Sequence, residues 1–196
     1  MAASERNTFW RHIFCWTRLG YAIVWTLTGI TNAQKAPKPN EYEVKAVYLY
    51  NFGKFVRWPE AAAETKNEHF VICVLGQDPF GPSLNATVNG ETINGTNVVT
   101  TQVSKPEDAV NCRILFISSS EAARLKQILS ALDRSSVLTV SDLPQFSRHG
   151  GMVEFLLDGN KVRFEVNLAP AEHAGLTFSS ELLKLAANVR KTRPGD

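Results

Sequence analysis

Three short, mainly apolar runs constrain this chain most. They are residues 70–75 (FVICVL), 112–118 (CRILFIS) and 137–140 (VLTV), each bounded by turn-forming residues. A strand with one face in water alternates apolar and polar side chains. A run of this length without that alternation reads instead as a strand buried on both faces, as in a parallel sheet. Segments able to form helices separate the runs. Residues 121–132 read as a helix that Ser119 or Ser120 can cap, and residues 82–87 as a short helix after the turn at 76–81. Residues 92–103 carry β-branched side chains and read as one further strand, and 142–148 as a short loop or helix.

The helix that opens this region covers residues 42–56. Val44, Val47, Tyr48, Asn51, Phe52, Phe55 and Val56 share one face at i, i+3, i+4 spacing, and this face is expected to point inward. Pro59 ends it, because the residue before a proline is pushed out of helical space. Residues 61–68 form a polar, alanine-rich loop.

Residues 151–168 read as a hairpin. With Gly159-Asn160 as its two-residue loop, Leu157 faces Val162, Phe155 faces Phe164 and Val153 faces Val166. All these apolar pairs fall on one face, which fixes the register. Residues 169–174 make a helical turn. Ser179 or Ser180 then caps a last helix, 181–190, with Leu182, Leu183, Leu185 and Ala186 inward. The fold class is α/β: a mixed, mainly parallel sheet flanked by helices, with a C-terminal antiparallel hairpin.

The first 33 residues are of another kind. Arg6, Arg11 and Arg18 make a positive leader, and Leu19 to Ile30 is an apolar run of 12 residues. A membrane-crossing helix needs about 20. The run therefore reads as the core of a cleavable signal peptide, 1–33, ending at Ala33. Residues 34–40 follow as a proline-containing linker, and 41–191 form the single domain. The full chain of 196 residues has a net charge of +2 and three cysteines. Removing 33 residues leaves 163, with 18 basic and 18 acidic side chains, Trp58 as the single tryptophan, and two cysteines. A neutral surface excludes nucleic acid as a partner. An oxidising compartment favours a bond between Cys73 and Cys112. Two buried free thiols are the alternative from residue type alone.

Catalytic patterns are weak. The 76–81 turn lacks the Lys and Ser/Thr of a phosphate loop, and Ser118-Ser119-Ser120 lacks a nucleophile elbow. The four histidines show no metal-ligand spacing, so no metal or cofactor is expected. Asn85-Ala-Thr87 and Asn94-Gly-Thr96 are glycosylation sequons.

The hairpin's second face carries Glu154, Arg163, Glu165 and Asn167. In the register above Glu154 opposes Glu165, and Arg163 sits diagonally to Glu154, where it can separate the two carboxylates. This face reads either as a solvated edge of the sheet or as a surface for a partner or small ligand. Glycosidase chemistry from the carboxylate pair is disfavoured, since no aromatic substrate groove accompanies it. Tyr48, Phe52 and Trp58 are candidate pocket aromatics. With Arg163 they would line the pocket of a small-molecule binding module that feeds a membrane sensor.

Tyr48 to Pro59 (YLYNFGKFVRWP) resembles the YfiR-like family of exported bacterial proteins. Five further blocks match in order: ICVLGQDPFG from Ile72, CRILFISSSE from Cys112, VLTVSD from Val137, GGMVEFLLDGNKVRFEVNL from Gly150 and GLTFSSELLKLAA from Gly175. The resemblance implies a periplasmic, non-enzymatic α/β domain that forms a homodimer. It implies a partner, an inner-membrane diguanylate cyclase or other sensor protein, held inactive so that cyclic di-GMP and biofilm output fall. It also implies that Cys73 and Cys112 are the bridged pair. Some members carry a second pair later in the chain. This sequence has no cysteine after Cys112, a departure from the members that use a two-disulfide redox switch.

Overall fold

A computed structural model describes residues 40–59, 68–133 and 135–191. The signal peptide and all of the linker except Asn40 lie outside the described residues, as does most of the 61–68 loop. The chain opens with α1 (Glu41–Phe55). Asn40 caps it by accepting from the Tyr42 amide, and Glu43 reaches back to the Asn40 amide at 2.9 Å. This reciprocal pair satisfies amides that the helix itself leaves free.

Beyond α1 come β1 (Val56–Arg57), β2 (His69–Leu75), α2 (Pro82–Val88), β3 (Thr92–Ile93) and β4 (Thr96–Val103). A 3-10 turn (Pro106–Asn111) leads into β5 (Ile114–Ile117). A second 3-10 turn (Ser119–Arg124) runs into α3 (Leu125–Ala131), followed by β6 (Leu138–Ser141). The C-terminal part holds β7 (Val153–Asp158), β8 (Lys161–Asn167), α4 (Leu168–His173), β9 (Thr177–Phe178), α5 (Ser180–Leu185) and β10 (Asn188–Arg190).

Eight strands form one sheet in the order β10-β8-β7-β6-β5-β2-β4-β3. Five of its seven neighbouring pairs are parallel; only β3–β4 and β7–β8 are antiparallel. A separate two-stranded pair, β1–β9, joins the end of α1 to residues 177–178. The hairpin has the expected register, with Leu157 opposite Val162, Phe155 opposite Phe164 and Val153 opposite Val166.

Central strands are buried on both faces, as their apolar runs require. Ile72, Val74, Phe116 and Val140 meet α1, α2, α4 and α5 on one face. Cys73, Leu75, Leu115 and Ile117 meet the first 3-10 turn, α3 and the loop after β6 on the other.

Four expectations are corrected. Residues 92–103 are two strands, because Asn94 (φ 52°) and Gly95 (φ 79°) form a tight turn. An Asn-Gly pair with both φ positive is the favoured two-residue hairpin turn. The 121–132 helix begins as a 3-10 turn capped by Ser118, and becomes α-helical only at Leu125. The last helix stops at Leu185, and residues 188–190 become a strand parallel to β8. Leu182 is buried as expected, while Leu185 faces solvent. The fourth correction concerns α1. Its deeply buried side chains are Lys45, Ala46, Leu49, Tyr50 and Phe52, whereas Val47 and Phe55 are exposed. The helix is apolar nearly all round, so its spacing alone does not select the inward face.

Candidate functional site

The chain leaves β6 at Ser141 and re-enters the sheet at Val153 without a helix. Parallel neighbours normally need a long crossover, and here a loop, residues 142–152, makes it. Buried polar groups hold that loop at both ends. At its start, Lys45 Nζ donates to Asp142 at 2.6 Å and to Glu41 at 2.5 Å, and the Tyr42 hydroxyl donates to Asp142 at 3.0 Å. Lys45 is only 2% exposed, and its ammonium also lies 4.3 Å from the Tyr42 ring centre. Burial, then the charge and hydrogen bond of Asp142, push the Tyr42 hydroxyl up to about 12.

At the loop's far end the hairpin supplies the partners. Glu154 accepts the backbone amides of Gln145 (2.9 Å) and Ser147 (3.0 Å). Glu165, directly across the strand pair, accepts the Ser147 hydroxyl and Arg190 Nη2 at 2.8 Å. Asn167 donates to the Ser147 carbonyl at 2.8 Å. Phe146 then seals the loop against the sheet. A side chain at Gly151 would bring a carbon within 2.1 Å of that ring, so the close approach depends on glycine.

This geometry resolves the opposed carboxylates differently from the expectation. The charge beside Glu165 comes from Arg190 on β10, and Arg163 projects into solvent. Glu154 instead accepts two loop amides. Burial raises the Glu165 pKa. The Ser147 and Arg190 hydrogen bonds, the Arg190 charge and Asn188 outweigh it, holding the carboxyl below its ordinary value. Glu154, Glu165 and Asn167 are buried, so the cluster is neither a solvated edge nor an open surface. Its role is to fix the loop and the edge strand β10, and Arg163 is the member within reach of a partner.

The candidate pocket aromatics separate. Tyr48 and Phe52 pack on Phe155 and Phe164, with ring centres 5.2 to 5.9 Å apart. Trp58 instead meets Phe70 edge-on at 5.3 Å. Arg163 lies on the opposite sheet face from Phe164, because alternate strand residues point opposite ways. These four residues do not converge on one cavity. A groove of about 440 Å³ between α2 and β4, lined in part by Asn85, Val98 and Thr100, includes none of them. Among the described residues no group of three His, Cys, Asp or Glu side chains is placed to hold a metal.

Cys73 and Cys112 form a disulfide, with Cα atoms 5.9 Å apart. It ties β2 to the entry of β5 across two adjacent parallel strands. Both residues are buried among Val103, Ala109, Leu115 and Ile128.

Lys45, Asp142, Ser147 and Arg190 complete the site, and the sequence did not single them out. Arg190 was hidden by its assignment to a helix. The one visible signal for Lys45 was its place four residues after Glu41 on the helix.

The model of the YfiR/HmsC-like family matches residues 42–187, nearly all of the described domain. The chain belongs to that family. YfiR-like proteins are regulatory rather than catalytic, and periplasmic. Two solved structures are similar at lower levels. A conserved domain protein from Vibrio cholerae shares 13% identity at a TM-score of 0.48, covering 67% of this chain and 58% of its own. The ABC domain from Streptococcus pneumonia, solved in complex with L-Trp, shares 13% identity at 0.49, covering 74% of this chain and 60% of its own. This chain thus spans about three fifths of each.

Proposed function

We propose that this protein is a non-enzymatic periplasmic regulator. It binds the periplasmic part of an inner-membrane signalling protein and represses a diguanylate cyclase, lowering cyclic di-GMP and biofilm output. The observation that carries this reading is the family match over residues 42–187. The apolar leader ahead of the domain supports delivery to that compartment.

The mechanism is linkage. A regulator that prefers the inactive cyclase shifts it by its difference in affinity for the two states, and by no more. The pinned 142–152 loop and edge strand suit this role, because a rigid surface loses little entropy on docking. The disulfide is buried, so reduction acts through the stability of the fold rather than on an exposed contact.

Affinity capture from membranes tests the proposal, with the tagged, exported protein as bait under oxidising and reducing conditions. A membrane cyclase should co-purify, and deleting the gene should raise cyclic di-GMP. Capture that yields no cyclase or other sensor protein in either condition overturns the reading.

A further inference from the structure

The two edges of the eight-stranded sheet end in different ways. At one edge, β10 has three residues, with Arg190 within it and Lys191 after it. A short, charged edge resists pairing with another chain. At the other edge, β3 has two residues and covers β4 only at Thr96 and Asn97. Strand β4 runs on to Val103 with β2 on its inner side. Among the described residues no strand lies on its outer side beyond Asn97. From Val98 to Val103 (VVTTQV) it carries no charge, proline or glycine, and every residue but Gln102 is β-branched. This edge favours a strand and lacks the features that keep an open edge unpaired.

Backbone direction alternates along β4. The Val98 amide donates outward, to the Glu91 carbonyl at 3.0 Å. The register with β2 is unbroken, so Thr100 and Gln102 also aim their amides and carbonyls outward, while Val99, Thr101 and Val103 bond to β2. Beside this edge lies the groove of about 440 Å³ under α2. Val88 and Val98 are its buried members, and Asn85, Ala86 and Asn89 are exposed beside them. The Thr100 hydroxyl donates to Asn85 Oδ1, which ties α2 to the edge. No residue lining the groove is charged.

These features define the occupant. Outward donors and acceptors at every second residue match the repeat of another extended backbone. A strand laid on them sends alternate side chains toward α2. A charged side chain there would lose water without gaining a partner. We propose that the outer edge of β4, from Val98 to Gln102, binds an extended, uncharged segment of another protein as an added strand, with alternate side chains in the groove under α2. The proposal does not rest on which membrane protein is regulated.

Hydrogen exchange of the exported protein, with its disulfide intact and read amide by amide by NMR, tests the edge first. Thr100 and Gln102 should exchange fast beside slow Val99 and Thr101. Slow exchange at both outward amides in the protein alone would overturn the proposal, by assigning the edge to another part of the chain or, where protection rises with protein concentration, to a second copy. A phage-displayed library of random peptides, about ten residues long, is the probe for the occupant. Selected peptides should slow exchange at Thr100 and Gln102 about tenfold or more. N-methylation of one alternate set of peptide amides should weaken binding about tenfold or more, and of the other set little, since only one set faces β4. Gln102→Pro removes an outward donor at an edge position that tolerates proline, and should fold and bind more weakly. The N-methyl comparison leaves the protein untouched and decides the matter where that variant does not fold. A library that yields no peptide protecting these amides, equal effects from the two N-methyl sets, or a folded Gln102→Pro that binds as the parent does would overturn the proposal.

Discussion

The two faces of the sheet are covered by different means. One lies under the long helix α1 and three shorter ones, and is filled with aromatic rings: Phe52, Phe80, Phe116, Phe155 and Phe164. The other has a 3-10 turn, the seven-residue α3 and the 142–152 loop above it. That thinner cover is reinforced by the Cys73–Cys112 bond and by two carboxylates that grip the loop, Glu154 through its amides and Glu165 through the Ser147 hydroxyl. Where apolar cover is scarce, a covalent tie joins neighbouring strands beneath it and polar ties hold the covering loop to the sheet.

The largest expected effect is on the aromatic face. Phe52→Ala should lower stability by about 3–5 kcal/mol in urea denaturation, because the ring is fully buried and its neighbours are themselves rigid. On the thin face, Cys73→Ser/Cys112→Ser should cost about 4 kcal/mol, the chain-entropy value for a loop of this size, whose ends are 39 residues apart. A double mutant with the parental urea midpoint would break the comparison, by showing that the thin face needs no covalent tie.

The Lys45–Asp142 pair joins the two systems, since it fastens the aromatic-face helix to the loop. Lys45→Met should cost about 3 kcal/mol by leaving Asp142 without its cation, and Lys45→Met/Asp142→Leu should recover most of that loss. Equal stabilities for the single and double variants would show that the pair acts separately.

The smallest effect is in acid. Glu165 is held below its ordinary 4.5, so its contribution is complete above that pH and is lost as pH falls through its lowered folded value. Glu165→Gln should flatten that part of the acid unfolding curve. An unchanged slope would assign the acid limb to other carboxylates.

The β7–β8 hairpin was fully legible, register included, because a period of two and a Gly-Asn loop leave one pairing that buries Val153, Phe155 and Val162 together. The buried runs of β2, β5 and β6 were legible for a similar reason. The inward face of α1 was not, since almost every face of that helix is apolar and the choice belongs to its distant partners. Strand β10 was hidden because three residues carry no periodicity, and only the edge of β8 makes them a strand. Of the site, the Glu154–Glu165 opposition was visible, while the source of the neutralising cation, Arg190, depended on that same strand.

The placement of α1 also fixes an order of events. It is the first described element to be synthesised, yet Lys45 waits for Asp142, 97 residues later, and Tyr48 for Phe164. An isolated helix of 15 residues is marginal in water. Helix α2 can cover part of α1 early, but the side of α1 that meets the hairpin stays uncovered until most of the chain has followed, and its capture is a long-range step. A holdase that recognises apolar segments would find its natural client in this helix, during that interval and not after it.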